Sequence, residues 1–493
     1  MNALDRLIAW FSPERGYRRS MYRDAFERNY DASRTDRRNE NWVPVSATAE
    51  ATDAGHRDLI RTRARDLERN NDILESALLA LERNVIGSGF VPQATIKTAS
   101  GEDAKDINDR IEELWRSWSE GESGGFPCDA TDMSSFDEIQ RILLRRQVVD
   151  GETFVHLVGT DDEIPVRLQI LEPDMLEPGL SEYQGRKILG GVEISGTYAP
   201  VAYWFRPDIE KDPIRVERRN LIHMLVKHRG RQTRGVSAVA AVLQRIRDTG
   251  EWIDAELMAS RIAACYAAFI TTENPQSMGR TTQDAEGKRV ETLEPGMVKY
   301  LRPNDKASFS TPGHPNTTAD AFVRLMSRLT GAGLGLSHEV VSRDLSGVNY
   351  SSARQGHLED RGTFRAMQKH QILHLCYPVW GVWLDACVLR GLVHIPDYWK
   401  KPRLYRKAVR WVTPGWSWID PQKEATAAAT QLSTGLTTLS EICGSQGKDW
   451  QEVLSQLAKE REFAASLGLQ LKFDVGGGVS DDDEGDSEQK PWE

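Results

Sequence analysis

GRQTRGVSAVAAVLQRIRDTGEWIDAELMASRIAACYAAFI, residues 230–270, decides how this chain is read. Gly230 to Gly235 spells a turn, and from Val236 the apolar residues Val239, Val242, Leu243, Ile246, Ile253 and Leu257 recur at helical spacing. A helix from Val236 to Ile270 is predicted, about 50 Å long at 1.5 Å per residue, more than a compact domain usually needs. Gly250 lies near its middle, where an interior glycine costs about 1 kcal/mol against alanine, so a bend is expected there. Small residues crowd the second half (Ala255, Ala259, Ser260, Ala263, Ala264, Ala267, Ala268). They let neighbouring helices approach closely, as a tight ring of parallel helices requires, and a coincidentally alanine-rich helix accounts for them equally well.

Upstream, apolar residues from Asp58 to Val85 follow a helical period that Gly87-Ser88-Gly89 stops, and further helices are predicted over 104–118 and 135–150. Short β-type runs follow at 154–158, 167–171, 192–194, 201–205 and 221–225, which together make a small α+β region. Downstream, residues 274–315 lose the helical period and read as a protruding irregular module between two helices, with a β-like run at 297–301. Helix returns over 318–329 until Gly331-Ala332-Gly333-Leu334-Gly335 breaks it. A loop from Ser337 to Tyr350 leads into a long helix from Ser351 towards Val393, with a kink expected at Pro378. A basic, aromatic, strand-like piece spans Lys400 to Trp411, and helices are predicted over 420–432, 438–443 and 449–467.

The chain has 493 residues, 39% of them hydrophobic and 28% charged, with a mean hydropathy of −0.51, so it is expected to fold in water as more than one region. The most apolar stretch, Ile372 to Ile395, is interrupted by His374, Pro378, Asp385 and Arg390, which favours a buried helix over a membrane span. Asp5 and Arg6 interrupt the apolar segment at the start, so a secretory signal is not expected and the chain should stay in the cytoplasm where it is made. Five separated cysteines without a CxxC pair (Cys128, Cys265, Cys376, Cys387, Cys443) read as buried small hydrophobes. The net charge of −10 is uneven: from Asp474 onward there are eight acids and one base, which leaves a nearly neutral body. A neutral body argues against tight static binding of DNA, which draws on many Lys and Arg, but not against a channel that DNA slides through.

Chemical motifs are sparse. The phosphate cradle GxxxxGK[ST] is missing, and His338-Glu339-Val340-Val341-Ser342 places Ser342 where a zinc-protease pattern needs its second histidine. Gly179-Leu180-Ser181-Glu182-Tyr183 and Gly335-Leu336-Ser337-His338-Glu339 both lack the closing glycine of a nucleophile elbow. One enzymatic alternative stays open, a nucleic-acid-processing site in which Glu152, Asp161, Asp162 and Glu172 hold magnesium through oxygen ligands.

Several stretches stand out when taken together. They are Arg63-x-Arg65-Asp66-Leu67-x-Arg69-Asn70-Asn71 leading to Asn84-Val85-Ile86-Gly87-Ser88-Gly89, then Gly151-Glu152-x-Phe154, Leu171-Glu172-Pro173-Asp174 and Gly191-Val192-Glu193. The two most telling are Gly230 to Val236, with Arg234 and Gly235, and Leu345-x-x-x-Asn349-Tyr350-Ser351-Ser352-x-Arg354. Together these stretches resemble the lambda-type bacteriophage portal family, and a different ring component of the phage neck or tail is the second alternative.

The resemblance implies an α+β portal fold, with mainly helical wing, stem, clip and crown regions and a small mixed sheet in the wing. It orders the chain as an arm (1–50), wing (51–235), first stem helix (236–270), clip (271–316), second stem helix (317–335), tunnel loop (336–350), long wing helix and return strand (351–415), crown helices (416–470) and a disordered acidic tail (471–493). It implies a non-enzymatic ring of twelve copies at one capsid vertex, assembled in the host cytoplasm, without cofactor, metal or membrane. Its implied partners are double-stranded DNA in the tunnel, the large terminase subunit, a head-completion or adaptor protein, and capsid or scaffold protein. The loop residues Arg343, Asp344, Leu345, Ser346, Gly347, Val348, Asn349 and Tyr350 would face the DNA. Glu339, Arg343 and Asp344 nearly cancel in charge there, which should let a polyanion slide.

Overall fold

The computed structural model describes residues 10, 12–14, 46–98, 100–121, 124–208, 210–265, 269–271, 306–308, 318–346, 350–416 and 421–469. Most of the expected arm, the expected acidic tail, Gly347 to Asn349 and nearly all of the expected clip lie outside them. Contacts divide the chain into two units, Met1–Thr52 and Asp53–Glu493. In the first, Trp10 is exposed and the helix α1 (Ala49–Asn70) begins. All that follows concerns the second.

One helix was predicted over 58–85, and two are found. The side chain of Asn71 accepts the Leu74 N–H at 3.0 Å with an extended backbone, so it ends α1 and caps α2 (Asp72–Leu81). A π turn at Glu82–Ile86 then runs into Gly87, whose φ of +53° stops the helix. In α3 (Lys105–Glu120) the residues Ile111, Leu114, Trp115 and Trp118 form one buried stripe. α4 (Phe136–Val149) starts where the Ser135 N–H donates to Glu138 at 2.9 Å.

The strands of the middle region are β2 (Glu152–Gly159), β3 (Val166–Leu171), β4 (Glu182–Tyr183), β5 (Arg186–Leu189), β6 (Val192–Ile194), β7 (Pro200–Phe205), β8 (Ile214–Glu217) and β9 (Leu221–Leu225), after a separate β1 (Val91–Ala94). The expectation of one small mixed sheet is corrected here. There are two sheets, ordered β3-β2-β9 and β4-β5-β6-β7-β8, and every ladder in them is antiparallel. Turns too short for a crossover helix join β4 to β5 and β5 to β6, and such turns can only reverse the chain.

Strand alternation places the three-stranded sheet between two cores. Val155, Leu168 and Ile222 join the large core, while Phe154, Leu171 and Leu221 turn the other way into a second core with Val192, Tyr203 and Phe205. The large core centres on tryptophans: Trp115 lies 5.0 Å from Trp383, 5.1 Å from Trp118 and 5.3 Å from Trp380 between ring centroids. The Trp118 indole donates to the Val166 carbonyl at 2.9 Å, which ties that cluster to β3.

The first long helix, α5 (Leu243–Cys265), begins seven residues later than the spacing predicts, and by Phe269 the chain is already a strand. The Ala238 N–H donates to the Val148 carbonyl at 3.0 Å, filling an orphan acceptor at the C-terminus of α4, so Val236 to Val242 is held in turns instead of helix. β10 (Phe269–Thr271) pairs antiparallel with β11 (Lys306–Ser308), which brings the two ends of the intervening module together.

α6 (Ala319–Leu334) was expected to break at Gly331 but runs on to a left-handed Gly335. Gly331 and Gly333 serve close packing: a Cβ at Gly333 would stand 2.3 Å from Val242. The predicted loop after it contains a short helix, α7 (His338–Ser342), capped by Ser337.

α8 (Tyr350–Gln371) and α9 (Tyr377–Leu389) are joined by a π turn at Ile372–Cys376. Pro378 has no N–H and crowds the carbonyl four residues back, and the π turn opens the ladder there. Val379, Trp380, Trp383 and Leu384 are fully buried, as the core reading of that apolar stretch requires.

The basic piece from Lys400 to Trp411 is mostly not a strand: α10 (Pro402–Arg406) precedes β12 (Val409–Val412), which pairs with β1. The C-terminal helices are α11 (Pro421–Ser433), α12 (Leu439–Ser445) and α13 (Trp450–Ser466). Cys128, Cys376, Cys387 and Cys443 are free and buried.

One close approach fixes the base of α5. Gly151 has φ +88°, and a Cβ there would stand 2.2 Å from the Val236 carbonyl carbon; a Cβ at Gly235 would stand 2.2 Å from the Gly151 oxygen. Two chain segments thus cross with no room for a side chain on either. Gly151→Ala is expected to cost about 3 kcal/mol or more in urea unfolding, since clash and left-handed backbone add. Gly230 has open space around it, so Gly230→Ala should stay within about 0.5 kcal/mol; equal losses at the two sites would contradict this account.

Candidate functional site

Beside this crossing sits the carboxylate of Glu152, 0% exposed on β2. Arg234 donates to Oε1 through Nε at 2.7 Å and Nη2 at 2.6 Å, while Oε2 accepts the Gly235 N–H at 2.7 Å and the His223 Nε2 at 2.9 Å. The His223 Nδ1 faces the Tyr203 hydroxyl at 3.3 Å. An ionised carboxylate only accepts, so His223 carries its proton on Nε2 and takes the Tyr203 O–H on Nδ1. Arg234 also donates to the Gly190 carbonyl at 2.5 Å.

Burial alone would raise the pKa of Glu152, but Arg234 and His223 outweigh it and hold the carboxyl well below the usual range. For His223 burial is the larger influence, ahead of the pull of Glu152, so its pKa is lowered and the ring is neutral at pH 7. Burial also pushes the Tyr203 hydroxyl up to about 12.

A second set of ion pairs clamps α1. Arg65 grips Asp150 with two bonds of 2.7 and 2.8 Å and reaches Asp174 at 2.8 Å. Arg145 on α4 holds Glu68 at 2.5 Å and Glu82 at 2.9 Å, and also Glu75, so three carboxylates from α1, α2 and the π turn meet one guanidinium.

The motif residues therefore divide. Arg65, Asn71, Arg234 and Gly235 hold elements together, whereas Asn70 makes an exposed bond to Asp66 and Gly230 has open space where a side chain would stand. Ser351 and Ser352 lie in the first turn of α8; Arg354 follows, its Nε buried without a hydrogen-bond partner. Asp150, His223 and Tyr203 were missed as site residues, although two acids inside the apolar run 148–155 were a signal of buried ion pairs.

The proposed magnesium ligands do not converge. Both oxygens of Glu152 are taken, Asp162 is bound by Arg167 at 2.6 Å, and Glu172 lies half-exposed 3.7 Å from Arg65. Among the described residues no group of three or more His, Cys, Asp or Glu could hold a metal.

In the loop, Arg343 adopts φ +56° and its N–H caps α7 on the Glu339 carbonyl. Asp344 accepts the Ser346 N–H at 2.9 Å and its hydroxyl at 2.5 Å, and lies 3.4 Å from Arg324 of α6. These contacts lower the Asp344 pKa, Ser346 contributing most. Asp344 thus finds its basic neighbour in Arg324 of α6, outside the loop. Leu345 is exposed, and Gly347 to Asn349 lie outside the described residues.

Comparison with known proteins joins these pieces, because the model of "Phage portal protein, lambda family" matches residues 35–368, a span that includes every motif residue above. The chain belongs to the lambda family of phage portal proteins. The "Probable portal protein" of Halomonas phage phiHAP-1 is 26% identical in an alignment of 469 positions that covers 90% of this chain and 88% of that protein. "Portal protein B" of Escherichia phage lambda is 23% identical, covering 87% of this chain and 88% of its own length. Among solved structures, a chain from the neck of an empty GTA particle has 14% identity and a TM-score of 0.44, over 83% of this chain and 94% of that one. As a portal protein the chain is a component of the phage head–tail connector, and the Glu152 cluster is part of its framework.

Acid should loosen that cluster. His223 has a lowered folded pKa, so its contribution to stability is lost as pH falls below its unfolded value of 6.5; Glu152, also lowered, loses its contribution as pH falls below 4.5. His370, pushed down to about 4 chiefly by burial, adds a limb of the same sign. Stability should fall by about 1 kcal/mol per titrating histidine between pH 6.5 and 5.5. His223→Gln, whose amide can donate to Glu152 and accept from Tyr203, should remove one proton from the slope in denaturation at several pH values; an unchanged slope would show that His223 is not buried neutral.

Proposed function

We propose that twelve copies of this chain join head to tail into a ring at one capsid vertex, through which double-stranded DNA is packaged and later ejected. The observation that carries this reading is the family match across residues 35–368. Identical heterologous contacts close into a ring when the rotation per copy divides a full turn. The ring docks the large terminase subunit during packaging and a head-completion or adaptor protein afterwards. It sits against capsid or scaffold protein after assembly in the host cytoplasm, and it acts by shape and contact without catalysis.

In this reading residues 51–235 are the wing, α5 and α6 the stem, the segment around β10 and β11 the clip, residues 336–350 the tunnel loop, and residues 351–415 the outer wing. Residues 416–470 form the crown. The arm and the acidic tail flank these parts. What supports the stem assignment is apolar surface on both helices: Leu257 is 48% exposed and Met258 54% on α5, and Leu325 is 48% exposed on α6. Such faces suit burial against a neighbouring copy.

Purified chain imaged by negative-stain electron microscopy is expected to give rings with a central opening of about 20 Å or more, the width of a DNA duplex. Leu257→Glu with Leu325→Glu should abolish rings while changing monomer stability by less than about 0.5 kcal/mol, since both side chains are exposed in the single chain. Solitary wild-type chains at high concentration, even with assembly partners present, would overturn the reading.

A further inference from the structure

The basic stretch that leads into β12 forms a corner of its own. Residues 389–407 hold six cations, Arg390, Lys400, Lys401, Arg403, Arg406 and Lys407, against the single acid Asp397, a net charge of +5 in a body that is nearly neutral. The corner is firmly built. Arg406 of α10 donates to Asp385 of α9 at 2.8 Å, and the Tyr398 hydroxyl donates to the same carboxylate at 2.6 Å. Tyr398 stacks on Tyr405 with ring centroids 5.6 Å apart, and the Tyr405 hydroxyl donates to the Pro396 carbonyl at 2.8 Å.

Part of its charge and part of its apolar surface stay unused. Asp397 takes Lys400 at 2.7 Å, and the Asp162 carbonyl accepts from Arg390 at 3.4 Å. Lys401, Arg403 and Lys407 are exposed and form no ion pair among the described residues. Leu389, Trp399 and Leu404 each keep more than half of their surface in solvent. Trp399 follows one stacked tyrosine and Leu404 precedes the other, while Leu389 stands one helical turn beyond Asp385, so all three belong to this corner. Apolar side chains gathered among unpaired cations suit an acidic partner that brings apolar groups of its own.

Such a partner is present in the chain. Residues 474–493 carry eight acids and one base, with Asp481-Asp482-Asp483-Glu484 in a row and Trp492 after them. From Leu469, the last described residue, twelve chain steps lead to Asp481, a reach of up to about 40 Å. We propose that the corner around α10 is the docking surface for this acidic segment, with Asp481 to Glu484 on Lys401, Arg403 and Lys407 and Trp492 on the apolar side chains. A tethered segment meets a site within its reach at an effective concentration on the order of millimolar, so ion pairs that are weak one by one suffice to hold it. Docked there, it shields the patch from other polyanions while the protein assembles.

Full-length variants test it. One neutralises the segment (Asp481→Asn, Asp482→Asn, Asp483→Asn and Glu484→Gln), one neutralises the patch (Lys401→Gln, Arg403→Gln and Lys407→Gln), and a third carries both sets. Carbodiimide joins a lysine to a carboxylate that touches it; in the wild type it is expected to link Lys401 or Lys407 to residues 481–484, read by mass spectrometry, and high salt should suppress the links. A fluorescent peptide of residues 474–493 should bind the segment variant at least about tenfold more tightly than the wild type, whose patch is occupied. It should bind the chain with both sets at least about tenfold more weakly than the segment variant. A gain of binding in the segment variant cannot come from a chain that fails to fold. Segment links only to lysines elsewhere, no links at all, or peptide binding that neither set changes overturns the proposal. A 30-base-pair duplex that binds the patch equally well in the wild type and the segment variant would make nucleic acid the occupant, and rings lost in the patch variant alone would make a second copy the occupant; either result overturns it.

Discussion

A carboxylate with no access to water must find all its partners inside the protein, and Glu152 finds them on two other stretches of chain. His223 comes from β9, Arg234 and the Gly235 amide from the turn before α5, and Glu152 itself opens β2. Moving any one of these by an ångström would strand a buried charge, which costs several kcal/mol. The pairing therefore adds geometry more than net stability: it fixes where the sheet ends and in which direction the chain leaves towards α5. The glycine crossing at Gly151 and Gly235 is the steric half of the same constraint, because the amide can reach Glu152 only if no side chain separates the two backbones.

Around that point the rest is layered. The Arg65 and Arg145 clamps seat α1 and α2 on α4, and the tryptophan cluster joins α3, α9 and β12 in one apolar mass. A framework held this firmly can present two long helices and a loop in a set orientation, which a ring of identical subunits demands of every copy. The exposed apolar side chains on α5 and α6 then read as surfaces intended for something outside the single chain.

Much of this was legible in the residues. Helical spacing placed α3, α4 and the C-terminal helices to within about two residues; in the structure the side chains of Thr438 and Asp449 cap the last two. The misplaced start of α5 has a specific cause: Val239 and Val242 keep helical spacing, yet the C-terminus of α4 captures the Ala238 amide. Gly331 and Gly333 looked like breakers because their use, close passage past Val242 and the Leu336 carbonyl, belongs to the tertiary structure. The short strands β5 and β8 were missed because their charged residues, among them Arg186 and Arg215, pair with Glu193 across the sheet. Family resemblance singled out Arg65, Arg234 and Gly235, but only the fold tells these from Gly230, which has open space where a side chain would stand.

The central claim is that Glu152 and Arg234 act as one unit that sets the path into α5. A double-mutant cycle of Glu152→Gln and Arg234→Met, read by equilibrium unfolding at pH 7, addresses it most directly. Each single change should cost about 3 to 5 kcal/mol by leaving its partner unpaired, and the double should cost at least about 2 kcal/mol less than their sum. Losses that simply add, within about 0.5 kcal/mol, would mean that the two residues act independently and that the path into α5 is set by something else.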